Sequence, residues 1–481
     1  MSNPADAAPR TSLLTIFAFG AGSLPLAALN IAMAISVQPY FAQTLGVSLI
    51  TIASAFFTVR MLDLGVDVGL AILMDRTKTP IGRYRGWTVL GAPILMLGVY
   101  ELFMAPKGID GGYLVLWLLV YALGSSIVGL SRSSWSATVV TRYDQRARFY
   151  GYLTAIGVIG TLVALATPIV SGLIWRGPHN NVQIMGWTIL AFTPIGIGIT
   201  ALFVPEKVSV DAHVHRPPLA DYWDLVKRPE VLRLFFSSFA LTLGPGWMAN
   251  LYLVFFIAAR GFNEPTAYGL LIGYVVAGVL GAPLIGWIGG RFGKHRTMIA
   301  ATVLYSLGLC TVTIVPKADF WAGLPVMIWC GFMATGFDLM TSAMMADVGD
   351  QVRLEQGKER MALLFALTGL SGKLAAAGAV IISYPLLEAV GYVPKLAGHN
   401  TPAAINGLVM VFIIGPIFWV ILGGICFLGW RLDAKKHAGI RLELEARDEL
   451  LVRGATVDGG AFELEAREAL LAQGVIGDGI S

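Results

Sequence analysis

Charge is what this sequence has least of. Only 13% of its 481 residues are Asp, Glu, Lys or Arg, against about a quarter in an ordinary soluble domain. The chain is 56% hydrophobic, with a mean hydropathy of +0.71, more apolar surface than a water-soluble fold can bury. Cysteine is scarce too. Cys310, Cys330 and Cys426 all lie in apolar runs, where a thiol behaves as a small hydrophobe, so no disulfide framework is implied. The six histidines, His179, His213, His215, His295, His399 and His437, all fall in loops or in the tail. That argues against a histidine proton relay or a buried zinc site within the membrane. There is no HExxH and no nucleophile–base arrangement, so the chain is not read as an enzyme and no cofactor is expected. The formal net charge of +4 comes from basic loops and gives no reason to expect a nucleic-acid partner.

What is present are apolar runs of roughly 20 residues, the mark of spanning helices, together with 56 glycines that let such helices approach closely. The opening MSNPADAAPRTS is short and polar. The segment after it, Leu13 to Phe41, is too long for a signal-peptide core and lacks a cleavage site, so it reads as the first span. Apolar runs and breakers predict about twelve helices. The first six lie near 13–41, 48–75, 84–105, 112–141, 148–174 and 183–204. The second six lie near 231–260, 266–290, 297–316, 321–348, 360–390 and 403–431. This is an all-α polytopic membrane protein. It divides into an N-terminus at 1–12, a six-helix bundle at 13–204, a polar linker at 205–230, a second bundle at 231–431 and a tail at 432–481.

Lys and Arg collect on alternate loops: Arg76, Lys78, Arg83 and Arg85, then Arg142, Arg146 and Arg148, the linker, Arg291, Lys294 and Arg296, and finally Lys435 and Lys436. The positive-inside rule makes that face cytoplasmic, with both termini on it, in a plasma (inner) membrane. Two of these turns match. MDRTKTPIGRYR (74–85) follows the second helix and GGRFGKHR (289–296) follows the eighth. Paired repeats around a midplane site are the architecture of secondary transporters.

Within this apolar background a few charges stand out. In RMLDLGVDVGLAILMDR, Asp63 and Asp67 lie four residues apart and share one helix face. Two ionised carboxylates side by side in low dielectric repel each other, so one takes a proton or a cation sits between them. Either outcome makes a coupling-ion site for H⁺ or for Na⁺, a hard cation that prefers oxygen ligands. An ion pair with Arg60 is the plainer alternative. Lys373, isolated in the eleventh helix, is a candidate partner for Asp63 or Asp67 when the ion is absent, or for an anionic group on a substrate. Arg132, with Ser131 beside it and Trp135 one turn on, offers cation, hydroxyl and indole for a sugar face. Asn30 and Gln38 in the first helix and Asp338 in the tenth are further cavity candidates. At the basic face, Asp75, Arg76, Arg83 and Arg85, with Asp347, Asp350, Arg353 and Arg360 in the second half, read as gates.

The tail is different in kind. LELEARDELLVRG (442–454) returns as FELEAREALLAQG (462–474), each copy a short amphipathic helix ended by Gly. It reads as a helical hairpin lying on the cytoplasmic face, with a partner-binding or regulatory module as the alternative.

These residues resemble the glycoside–pentoside–hexuronide:cation symporter family, the melibiose-permease relatives in the major facilitator superfamily. The resemblance spans roughly 13–431 and rests on RMLDLGVDVG with DRTKTPIGRYRGW, on ADVGDQVR, and on Lys373 followed by GYVP (391–394). It implies the major facilitator fold of two pseudo-symmetric six-helix bundles. It also implies that Asp63 and Asp67 coordinate the coupling cation with Lys373 nearby. Sugar-reading acids of the family are missing: Pro25 and Ser131 stand at two of their positions, and Ile156 stands where an arginine is expected. With those acids lost and Arg132 and Lys373 kept, the expected substrate is a sugar or glycoside, with a lean to an acidic one such as a hexuronide. The other readings are transport of an amphipathic anion such as a lysophospholipid, and a non-transporting sensor acting through the tail. The working unit is expected to be a monomer in the lipid bilayer.

Overall fold

The computed structural model describes residues 12–77, 81–140, 143–174, 180–206, 225–357 and 360–452. The first span is composite. Helices α1 (Leu13–Ala21) and α2 (Ser23–Ala32) run on through π-helical turns at Met33–Val37 and Tyr40–Leu45. Five more helices complete the first half: α3 (Leu49–Arg76), α4 (Arg83–Phe103), α5 (Gly111–Val139), α6 (Tyr143–Ile174) and α7 (Asn181–Phe203). The second half holds α8 (Pro229–Val254), α9 (Glu264–Phe292), α10 (Lys294–Thr311), α11 (Phe320–Gln356), α12 (Met361–Ala389) and α13 (Pro402–Ile425). A further helix, α14 (Ala434–Val452), follows them. Among the described residues eleven runs are long and apolar enough to cross a membrane. The twelfth, α10, has 18 residues and opens on Lys294, His295 and Arg296, which lowers its mean hydropathy.

Helix starts differ between the two faces, except that α1 on the termini face is also capped by a side chain, Ser12 accepting from the Thr15 N–H. Every span that starts opposite the termini is capped by a short polar side chain accepting a backbone N–H. The caps are Ser48 for α3, Asp110 for α5, Asn180 for α7, Asn263 for α9, Asp319 for α11 and Thr401 for α13. Such a cap satisfies one of the donors a helix start leaves open. On the termini face, α4 and α10 instead start from the glycines of the two matched basic turns. Gly82 (φ 114°) and Gly293 (φ 96°) adopt a conformation that an L side chain rarely takes. At α4 the missing cap is replaced from a distance: Glu206 accepts from the backbone N–H of Tyr84 (2.9 Å) and of Arg85 (3.0 Å).

Within the first half α4 packs along α5 and α2 along α6; within the second, α9 packs along α11 and α8 lies against α12 and α13. The halves meet where α3 runs along α12 and α6 along α9. These are spans 2 with 11 and 5 with 8, contacts that exchange when six is added to each number. The chain is therefore two related six-helix units about a pseudo-two-fold axis. Facing side chains from α2, α3, α5, α8 and α12 enclose the space between them.

Candidate functional site

That space is a cavity of about 500 Å³ between the halves. Its charged wall is built by α3, where Arg60, Asp63 and Asp67 recur at three- and four-residue spacing and so share one stripe. Asp63 is 5% exposed and takes three donors. These are the Ser126 hydroxyl of α5 at 2.7 Å, the Arg60 guanidinium at 3.3 Å, and the Lys373 ammonium of α12 at 3.5 Å. Lys373 also contacts the Asp67 carboxylate directly. The second oxygen of Asp67, Oδ1, is buried and has no hydrogen-bond partner among the described residues. Two acids of the first half thus share one ammonium of the second, and a free carboxylate oxygen remains in the wall. Removing either charge from such a group strands the others in low dielectric.

Ser126 was not singled out from the sequence. The available signal is the Ser125–Ser126 pair placed mid-span, just before the more conspicuous SRSSWS on α5. The stripe of α5 that faces the cavity holds Ala122, Ser126, Gly129 and Ser133, at the i, i+4, i+7, i+11 positions of one helix face.

Three expected substrate residues lie off that stripe, and the expectation is corrected. Ser131 is fully buried and exchanges a hydrogen bond of 2.8 Å with Thr88 of α4. Arg132 points into the bundle. It donates to the Phe19 carbonyl and the Ser23 hydroxyl, both at 2.9 Å, and to the Thr200 hydroxyl at 3.3 Å, with its guanidinium 4.6 Å from the Phe19 ring. Trp135 is wholly buried, edge-on to Phe19 with 5.7 Å between centroids. The physical reason is helix phase joined to partners: Ser131 and Trp135 lie about 150–170° around the helix from the centre of that stripe, and Arg132, about 90° from it, is drawn to acceptors on α1, α2 and α7. Asn30 does line the cavity. Asp338 does not; it is exposed on α11, and among the described residues its carboxylate makes no hydrogen bond or ion pair. Gln38 lines the cavity and meets Asn250 of α8 across the halves.

At the termini face, Asp347 is bound by Lys294 (2.6 and 2.7 Å), and His437 of α14 lies 3.0 Å from Asp350 and 3.4 Å from Asp347. Arg353 pairs with Asp448 at 3.0 Å. The acids of the second half therefore hold α10 and α14 to the end of α11. Arg360 is buried at the start of α12. Arg76 is exposed, and Arg83 lies 5.9 Å from the Tyr84 ring; the Asp75 side chain falls outside the described residues, as does the second copy of the tail repeat. On the opposite face, among the described residues, three side-chain hydrogen bonds cross between the halves: Ser36 with Tyr268 (2.7 Å), Gln38 with Asn250 (3.4 Å) and Asn181 with Glu264 (2.8 Å).

The architecture has counterparts among solved structures. It superposes on the nucleoside transporter NupG with a TM-score of 0.64 at 14% identity, covering 87% of this chain and 99% of that one. In sequence it is 25% identical to an uncharacterised symporter, YnaJ, of Bacillus subtilis (strain 168), over 85% of this chain and 90% of the relative. It is 22% identical to an isoprimeverose transporter of Lactiplantibacillus pentosus, over 82% and 83% of the two chains. A family model described as MFS/sugar transport protein matches residues 18–434. With its helices, its paired halves and that match, the chain belongs to the sugar-transport family of the major facilitator superfamily, the glycoside–pentoside–hexuronide:cation symporters.

Proposed function

We propose that the protein is a cation-coupled symporter of a sugar or glycoside, working by alternating access, with both termini on the cytoplasmic face of the inner membrane. One observation carries the coupling: a lysine of one half is shared by two acids of the other, and Asp67 Oδ1 is left without a partner among the described residues. Na⁺ or H⁺ entering at Asp63 and Asp67 takes over the neutralising role of Lys373, and the tie between the halves is exchanged for a tie to the ion. Differential binding of the ion to the two arrangements is what allows it to shift their populations. The corrected place of Arg132 removes one of the two cations that favoured an acidic substrate, and Lys373 is engaged with Asp63 and Asp67. That supports a neutral sugar or glycoside over a hexuronide. The cytoplasmic placement follows from the basic loops.

The reading is tested by uptake measured with and without Na⁺ at fixed pH, and across pH without Na⁺, for wild type and Asp67→Asn. Ion-dependent uptake in the wild type, lost or reduced at least tenfold in the variant, is the expected result. Full ion dependence in Asp67→Asn would end the assignment of the coupling site.

A further inference from the structure

The cavity has a second polar place, away from the charges. Gln38 of the first half and Asn250 of the second are 3% and 5% exposed, and both line the cavity. The Gln38 amide N–H donates to the Asn250 carbonyl at a long 3.4 Å. That contact leaves the Gln38 carbonyl oxygen and the Asn250 amide nitrogen buried without partners among the described residues. Turning both amides over only exchanges the spare atoms. One acceptor and one donor remain unsatisfied either way, because each primary amide brings both kinds of atom. Buried polar atoms without partners are rare in folded chains, since each forfeits the hydrogen bonds it makes in water. Two of them, on cavity-lining residues from opposite halves, mark a place that a ligand entering between the two amides would complete.

We infer that Gln38 and Asn250 form a hydroxyl-reading subsite, which holds two neighbouring uncharged hydroxyls of the transported sugar and bridges the halves through them. The chemistry selects the class. A hydroxyl both donates and accepts, so a vicinal diol satisfies the spare carbonyl and the spare amide together. A carboxylate only accepts and would face the Gln38 oxygen, so this end of the cavity disfavours an acidic group. The walls beside the pair are small or apolar, Gly246, Ala249, Ala379 and Val380, and leave room for the flat face of a sugar ring. The position also gives the subsite a second effect. Ser36, two residues before Gln38, is already tied to Tyr268 of the other half, so a sugar spanning the two amides adds to the closure of that face.

The inference rests on the sugar-transport reading, and the experiment separates the two. Counterflow into proteoliposomes is measured for methyl xyloside, glucoside, galactoside and glucuronide and for their monodeoxy analogues. Wild type is compared with the near-isosteric variants Gln38→Met and Asn250→Leu, with thermal melting to check folding. Each variant is expected to raise KM for the preferred uncharged glycoside by about ten- to a hundredfold, as loss of a buried hydrogen bond does. For one analogue lacking a single ring hydroxyl, wild type and variant should become equal. The wild type alone supplies a second reading if a variant fails to fold: removing one of two adjacent hydroxyls should cost tenfold or more. If KM is unchanged, or rises alike for the parent sugar and every deoxy analogue, transport stands and the subsite falls. If the wild type carries nothing in the panel, the transport reading falls and the subsite with it.

Discussion

Arg132 joins three parts of the first half at once. Its guanidinium binds a carbonyl of α1, a hydroxyl of α2 and a hydroxyl of α7, and it lies over the Phe19 ring. Arg132→Ala should therefore lower stability by about 3 kcal/mol, since hydrogen bonds to a charged group are the stronger kind and their partners are left buried. In the protein that does fold, KM for the transported sugar should stay within about twofold of wild type. Melting in detergent and counterflow measure the two quantities, and a variant that melts normally but loses sugar affinity would return Arg132 to the cavity. The contrast with Asp63 and Asp67 explains what could be read in advance. A carboxylate pair four residues apart has one natural place in a membrane bundle, on a shared inward face, and Lys373 was legible as its counter-charge for the same reason. The serines and the arginine of α5 gave no such direction. A span surrounded by lipid and by other apolar helices has no wet face to set its phase, and a hydroxyl serves packing as readily as binding. Hence Ser126 was missed and Trp135 was misplaced.

Among the helices, the two matched basic turns were visible as a repeat, but their different anchoring was not. Gly82 and Gly293 hold similar positive φ values. A Cβ on Gly293 would meet His295 at an ordinary 3.6 Å, whereas one on Gly82 would run into the Glu206 carboxylate that accepts from Tyr84 and Arg85. Alanine at either site incurs backbone strain of about 1–3 kcal/mol. Gly82→Ala should cost more than Gly293→Ala by about 1 kcal/mol, because it also displaces the substitute cap of α4. Melting temperatures of the two variants decide the matter, and equal losses would mean that Glu206 adds nothing there. Glu206 lies 121 residues beyond Arg85, and no local pattern announces such a partner. The polar caps of the opposite face, by contrast, are local signals: Ser48, Asp110, Asn180, Asn263, Asp319 and Thr401 each mark a helix start within a residue or so.

For the molecule as a whole, composition and the repeat were enough for two six-helix units, because only helices satisfy their backbone inside a bilayer. Which face is closed depends on contacts such as Ser36 with Tyr268 and Asn181 with Glu264, between residues 232 and 83 positions apart. Those contacts lie outside the reach of periodicity. If they hold that face shut, Tyr268→Phe combined with Asn181→Ala should shift the balance towards opening there by about thirtyfold, taking about 1 kcal/mol for each lost hydrogen bond. Spin labels at Gly172 and Pro265, which lie side by side across the two halves, would report a new population at longer separation. An unchanged distance distribution would show that closure rests elsewhere.

The charged cluster has an electrical consequence. Arg60, Asp63, Asp67 and Lys373 bring two formal charges of each sign. A carrier that swings this group from one side of the bilayer to the other without an ion moves no net charge with it. In the proposed cycle the return of the empty carrier is then indifferent to the membrane voltage. The loaded carrier, one positive charge richer, is driven by about 2.3 kcal/mol for each 100 mV that its charge crosses. In that proposed cycle Lys373 balances the acids while the ion is away, and the cargo-bearing stroke is the one on which the potential acts.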